Sequence, residues 1–470
     1  MTDTLQPYPE YKDSGQTWLG SVPRHWTVLP AFGAYVPILE KNKGLREKTV
    51  LSLSYGRIVI KPPEKLHGLV PESFETYQIV NPGDIIIRTT DLQNDHTSLR
   101  IGMVRNRGII TSAYLALRPK QGVSADYAYQ FLNVWDQSKA IYEYGSGLRQ
   151  NLDFSHFKRM PVAIPPPDEQ DAIVRFLDHA NSHIERAIRA KRKIITLLNE
   201  QKQAIIHRAV TRGLDPDVPL KPSGIPWLGD IPAHWGLISL RMRYSVELGK
   251  MLDAKRFTGR HSIPYLRNRD VQWDNILIDD LPTMDITPAE FPRYTVRRGD
   301  LLVCEGGQVG RCAFWNDQLP ICGFQKALHR IRALDPKRDF PRFFFYQMRL
   351  AAGCGIFTAD GNENTIAHLT CEKLRRYRFA FPPFEEQNAI VKYLDCELQQ
   401  FNTVISNLER EIALLREYRT RLTADVVTGK LDVRSAAASL PDPGESETPD
   451  TSNPSDSSDP ADLEPEEAEA

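Results

Sequence analysis

The chain has 470 residues, 41% hydrophobic and 25% charged, which is enough to bury large cores and by length suggests about three domains. It has no run of eighteen apolar residues, and its opening, MTDTLQPYPEYKDSG, lacks both the basic and the apolar region of an export signal. This argues against a membrane span and for a cytoplasmic protein. The net charge of −1 conceals a division: residues 435–470 hold eleven Asp or Glu and no Lys or Arg, leaving 59 basic against 49 acidic residues before them, a body of +10 that suits a polyanionic partner.

In chain order, the first phrase to mark is GQTWLGSVPRHW at 15–26, because it returns as GIPWLGDIPAHW at 224–235 with seven of twelve identities. A variable body follows over 27–163. It contains short apolar runs between turns, among them PGDIIIRTTD (82–91) and GIITSAYLALRP (108–119), and an amphipathic stretch over 125–142 that predicts a helix. Then comes IPPPDEQDAIVRFLD at 164–178. The prolines bar a helix before them, and Asp168, Glu169 and Gln170 begin one where the helix dipole favours carboxylates. The apolar seam that follows, Leu177, Ile184, Ile188, Ile195, Leu198, Ile205 and Ala209, is interrupted by Asn181, Lys191 and Lys202, and Gly213 ends it.

The second copy of the Trp-Gly-Pro-Trp phrase opens a second body over 236–380. RGDLLVCEGG (298–307) and PICGFQKALHRIRA (320–333) take the places of the corresponding runs in the first body, and 341–352 predicts a helix. At 381–395 the chain reads FPPFEEQNAIVKYLD, which matches 164–178 at nine of fifteen positions, 217 residues on. Its seam runs Leu394, Leu398, Phe401, Ile405, Leu408, Ile412, Leu415, Leu422 and Val426, a 4-3 alternation broken only at Arg419, and Gly429 closes it. Each helix could run about 45 residues, roughly 68 Å. Two such helices would expose their seams singly, so pairing with each other is the economical arrangement. The polar seam residues either set its register or face another subunit. The acidic segment after 434 has too few apolar groups to offset the entropy of ordering and is expected to be disordered.

The fold class expected is α+β, with two tandem domains, each followed by a long helix, and the two helices pairing as an antiparallel coiled coil in a pseudo-twofold internal repeat. The expected divisions are an N-terminal lead-in at 1–26, a first domain at 27–165, a helix at 166–213, a linker and second lead-in at 214–235, a second domain at 236–382, a helix at 383–430 and the acidic tail at 435–470. Asp84 and Asp300 read as turn residues. His25 and His234 recur with the lead-ins, which fits packing or hydrogen bonding better than metal ligation. The six cysteines, all in the second half and none in a CxxC pair, read as small buried hydrophobes.

On YKDSGQTWLGSVPRHW, on PPPDEQDAIVRFLD with KRKIITLLNEQKQAIIHRAVTRGL, and on their second copies, the chain resembles the specificity (S) subunit of type I restriction-modification systems over roughly residues 8–432. The resemblance implies two target recognition domains, each reading one half of a bipartite sequence in double-stranded DNA. It also implies paired helices that set the spacer and dock two modification (methyltransferase) subunits, to which restriction subunits add. No catalytic activity, cofactor or metal of the chain's own is implied. Base reading needs side chains of fixed donor and acceptor geometry. The candidates in the first domain are Arg88, Thr89, Thr90 and Asp91, Ser112 and Tyr114, and Arg149, Gln150 and Asn151. Those in the second are Arg267, Asn268 and Arg269, Gln308, Gln325 and Lys326, and Asn362 and Asn364. Two rival readings differ in class. A methyltransferase acting on amino groups is suggested by FPPF (381–384), which is similar to the Asn-Pro-Pro-aromatic motif of such enzymes, but Phe381 replaces the Asn and the copy reads IPPP. The other rival is a coiled-coil scaffold whose two heads bind proteins.

Overall fold

The computed structural model describes residues 5–62, 73–90, 92, 99–144, 152–252, 258–358 and 368–441. The chain divides into two compact units, Met1–Ile188 with Ala413–Ala470, and Arg189–Ile412. The second long helix thus contributes its end to the first unit, and the first long helix contributes its end to the second.

In the first unit a four-stranded antiparallel sheet has the order Tyr35–Pro37, Leu115–Pro119, Ile85–Ile87, Ile101–Met103. In the second unit the order Tyr244–Leu248, Leu328–Ala333, Leu301–Cys304, Cys312–Phe314 repeats it strand for strand. Each unit adds a two-stranded antiparallel pair that joins the end of the lead-in to the segment entering the long helix: Thr27–Pro30 with Pro161–Ile164, and Gly236–Ser239 with Arg378–Phe381. Beside these common frames the units differ. The first has a hairpin, Leu51–Ser54 with Arg57–Ile60; the second has Ser262–Leu266 flanked by an antiparallel and a parallel neighbour.

The amphipathic stretches form helices at Ala125–Gln137 and Pro341–Gly353, burying Phe131, Leu132 and Trp135 in one unit and Phe343, Phe344 and Phe345 in the other. The repeated phrases start the two long helices, Pro167–Arg212 and Phe384–Val427. Every apolar seam position named above is buried or half-buried. Within the first unit Arg419 donates to Glu185 at 3.2 Å, so the break in the apolar seam is a cross-helix ion pair. Within the second, Lys191 meets Glu411, and Lys202 donates to the side-chain carbonyl of Asn402 at 2.5 Å. Partner numbers fall as the first helix's numbers rise, which makes the pairing antiparallel, and two of the polar seam residues serve its register. Asn181 makes no such bond: its buried Oδ1 has no partner.

The role of the lead-in segments emerges from their contacts. In the first unit Glu169, with its side chain 2% exposed, accepts from Tyr8 Oη at 2.5 Å and Trp26 Nε1 at 2.8 Å, and its other oxygen lies 2.8 Å from His25 Nε2. In the second unit Glu386 accepts from Trp235 Nε1 at 3.0 Å and lies 2.8 Å from His234 Nε2. The next residue works alike in both. Gln170 donates to the Pro165 and Gly122 carbonyls and accepts from Ser124 N–H; Gln387 donates to the Pro382 and Arg338 carbonyls and accepts from Phe340 N–H. The repeated Glu-Gln and His-Trp are therefore two halves of one clamp that ties lead-in, body and helix start together. Beyond a favourable charge at a helix start, the glutamate is a buried acceptor.

Burial of the cysteines holds for Cys304, Cys312 and Cys322, but Cys354 and Cys396 are exposed and Cys371 is half-buried; all six are free thiols. The correction has a local cause. Cys354 caps a helix end, and Cys396 lies two residues past the seam position Leu394, on the helix's outer side.

Candidate nucleic-acid interface

Each sheet holds its central strand by a buried carboxylate. Asp84 accepts from Asn81 N–H at 2.7 Å and from both arms of the Arg118 guanidinium at 2.7 and 2.9 Å. Asp300 accepts from Arg297 N–H at 2.7 Å and from Arg332 at 2.6 and 2.6 Å. Both aspartates are turn-formers, as their Gly-Asp context suggests, with a forked arginine added. The strands run away from these turns, so the segments that differ between bodies emerge at the opposite end of each sheet.

In the first unit that end is organised by Arg100, which is fully buried. Its guanidinium donates to the Arg88 carbonyl at 3.3 Å and the Thr90 carbonyl at 2.8 Å, and its backbone N–H donates to Asp136 at 2.7 Å. Thr89 is buried, with its hydroxyl donating to the Ala113 carbonyl and its own carbonyl accepting from Leu152 N–H. Exposed Ser112 donates to the Thr76 carbonyl at 2.5 Å and accepts from Lys41 Nζ at 2.5 Å. Residues 88–90, 112–114 and the chain at 152 therefore meet at one end of the sheet. Arg88 and Tyr114 are half-buried there.

The second unit assembles the same end from different chemistry. Leu369 N–H donates to the Glu305 carbonyl, the counterpart of Leu152 on Thr89, and Glu305 N–H donates to the Ala327 carbonyl. Asn268 Nδ2 donates to the Gly306 carbonyl at 3.0 Å, Arg311 donates to the Asn268 carbonyl at 3.0 Å, and Gln325 N–H donates to the Leu266 carbonyl at 3.0 Å. These bonds bring 266–269, 305–308 and 325–327 together. Behind them His329 is fully buried, with Nε2 2.5 Å from the Leu369 carbonyl; burial lowers its pKa and so favours the neutral ring. Burial also pushes the neighbouring Arg330 down to about 10.

The seventeen candidate residues fall into three groups. Arg269, Gln308, Lys326 and Ser112 are exposed or half-buried at these loop ends, and Arg88, Thr90, Tyr114, Asn268 and Gln325 are half-buried there. Thr89, as described, and Arg267, whose guanidinium is forked by Asp270 at 2.9 and 2.9 Å and donates to the Asp280 carbonyl, are occupied by the fold, and the Ser112 and Asn268 side chains are partly engaged through the bonds given above. Asp91, Arg149, Gln150, Asn151, Asn362 and Asn364 lie outside the described residues. Sequence reasoning missed Arg100 and Lys41, the groups that hold the first loop end. An arginine before an apolar strand and a lysine in a charged turn carry no sequence signal of that role.

With two matched frames and two unlike loop ends in place, the comparisons with known proteins are decisive. Residues 38–193 and 245–413 match the family described as Type I restriction modification DNA specificity domain. The chain belongs to this family. Each matched segment runs from a variable body into the long helix after it. A putative type I restriction enzyme MjaX specificity subunit of Methanocaldococcus jannaschii is 22% identical over 456 residues, covering 93% of this chain and 100% of the relative. The StySPI specificity subunit of Salmonella potsdam is 24% identical, covering 69% of this chain and 72% of that one. A solved chain of a type I R-M system shares the fold at a TM-score of 0.64 and 14% identity, covering 86% of this chain and 98% of its own. The chain is a DNA-sequence specificity subunit, and the catalytic activities of such systems reside in other subunits. Among the described residues no helix is long and apolar enough to cross a membrane.

Proposed function

We propose that this specificity subunit reads a bipartite duplex target, with one half-site for each of the domains at 27–165 and 236–382. The two long helices set the unread spacer and dock two modification subunits, restriction subunits join through the complex, and the assembly works in the cytoplasm. The observation that carries this reading is the repeated sheet with its matching loop closure, Leu152 on Thr89 and Leu369 on Glu305, around loops of different chemistry. One scaffold presented twice with unlike donors and acceptors is what two different half-sites require. Arg269, Gln308 and Lys326 in the second domain, and Arg88, Ser112 and Tyr114 in the first, are the base or phosphate contacts we favour. Co-expression with the system's own modification subunit in a methylation-free host, followed by single-molecule mapping of methylated bases, should return two short defined halves around a fixed gap. A stable complex that methylates nothing in a sequence-dependent way would instead point to a protein-binding scaffold. Deleting seven residues between Ile184 and Leu198, one heptad, should change the gap and leave both halves unaltered; a change in the recognised bases would sink the division of labour.

A further inference from the structure

The two loop ends meet one folding requirement by different means at a pair of equivalent positions. Thr89 and Glu305 come just after the central strands Ile85–Ile87 and Leu301–Cys304, and their carbonyls accept from Leu152 and Leu369 N–H. In the first domain the fold also uses the side chain: the buried Thr89 hydroxyl donates to the Ala113 carbonyl at 3.2 Å. In the second domain the corresponding carbonyl, that of Ala327, accepts instead from the Glu305 backbone N–H at 3.0 Å. That exchange leaves the Glu305 side chain out of the closure.

Among the described residues nothing neutralises this carboxylate: it is half-buried, without a hydrogen bond or an ion pair. Arg269 and Lys326 are exposed at the same end, but Arg269 pairs with Asp270 at 3.8 Å and Asp280 at 3.9 Å. His329 and Cys371 lie within its field. Burial lowers the pKa of the imidazole and raises that of the thiol, so both are neutral near pH 7. The His329 Nδ1 has no partner, so it makes no bond to Glu305. The next two positions are Gly306 and Gly307, which bring no side chain to cover the carboxylate.

On a face that receives a polyanion, an unpaired carboxylate works against the phosphates. It becomes favourable against a donor, and in the major groove the donors are the exocyclic amino groups of adenine and cytosine. Adenine sets its amino group beside the N7 acceptor, which repels a carboxylate. The cytosine amino group has no acceptor of its own base beside it there.

We infer that Glu305 is a specificity-determining residue of the second domain, accepting from the 4-amino group of a cytosine in its half-site. The inference rests on the DNA-reading function proposed above and adds a residue that the loop candidates omit. The same charge holds down affinity for unrelated duplexes, because it repels the phosphates without a base donor to offset the repulsion.

The test uses the complex of the full chain with its modification subunits and compares wild type, Glu305→Gln and Glu305→Ala. Read for each are the methylated motif, the thermal midpoint, and affinity for the mapped duplex, its single-pair variants and an unrelated duplex. In Glu305→Gln, one C·G pair of the second half-site should lose its preference by about tenfold or more. A·T should gain at that pair, since an amide can meet adenine N6 and N7 together. Glu305→Ala should lose the same preference with no gain for A·T. The first half-site, the gap and the thermal midpoint should stay as in wild type, and both variants should bind the unrelated duplex more tightly. An unchanged motif in Glu305→Gln overturns the inference, as does relaxation confined to an A·T pair or to the first half-site. So does a fall in thermal midpoint that accounts for the lost discrimination, since Glu305 would then be structural. Each of these leaves the wild-type split motif, and with it the DNA-reading function, intact. A wild-type complex without any motif instead overturns that function and the role of Glu305 with it.

Discussion

The two clamps are built to one plan and differ in depth. In the first unit Glu169 is nearly sealed, with three donors on it and Tyr8 and Trp26 buried around it; in the second, Glu386 has two donors and a side chain 29% exposed. The glycines that end the long helices repeat the contrast. Gly429, at φ +75°, packs so tightly that a Cβ would overlap the Pro23 ring and come within 3.0 Å of Trp26, whereas at Gly213, also +75°, it would meet the end of the Glu386 side chain at 3.0 Å and Trp235 at 3.3 Å. The same residue types at the same repeat positions thus have unequal energetic weight. Sequence identity between repeats reports shared geometry, while burial decides what each copy contributes.

The largest test of this asymmetry removes the acceptors. Glu169→Ala should destabilise its unit by about 4 kcal/mol, since buried Trp26 and Tyr8 lose their partner, and Glu386→Ala by about 1.5 kcal/mol, because water can replace the carboxylate. Urea denaturation with hydrogen exchange resolved by unit would separate them, and equal losses would break the comparison. Next are the helix ends. Gly429→Ala should cost about 3 kcal/mol, from backbone strain and overlap together, and Gly213→Ala about 1.5 kcal/mol, from strain with a side chain that can move aside. Reversal of that order in the same denaturation experiment would mean that Pro23 yields more easily than its ring packing implies.

The smallest expected effect is a pH response confined to the second unit. His329 has a folded pKa below its unfolded value near 6.5, because burial disfavours the charged ring. The unfolded chain therefore takes up the proton first. This residue's contribution is whole above about pH 6.5 and falls as the pH drops toward the folded pKa, with a slope of at most about 1.4 kcal/mol per pH unit. His329→Gln, which keeps a donor for the Leu369 carbonyl, should flatten that slope without touching the first unit. An unchanged pH profile would place the titration elsewhere.

Much of the fold was legible because its signals are local. Prolines before Asp168 and Glu385, the 4-3 apolar spacing and Gly213 and Gly429 specify two long helices from neighbouring residues alone. Repetition of lead-in and tail phrases showed that the molecule is written twice, and that is enough to identify the family. The clamp was not legible. Glu169 reads as an ordinary first-turn carboxylate, and its donors lie more than 140 residues away at His25 and Trp26. The loop candidates were chosen by residue type, which cannot tell an arginine free to read a base from Arg267, already forked by Asp270, or a reading threonine from buried Thr89.

By itself, then, the sequence determined the period, the two helices and their ends, and the kinship, since each depends on spacing along the chain. Only the tertiary structure decided which polar groups are spent on holding the fold and which face outward. Hydrogen bonding and burial are settled by residues that meet across the fold, and their partners leave no mark in the local pattern.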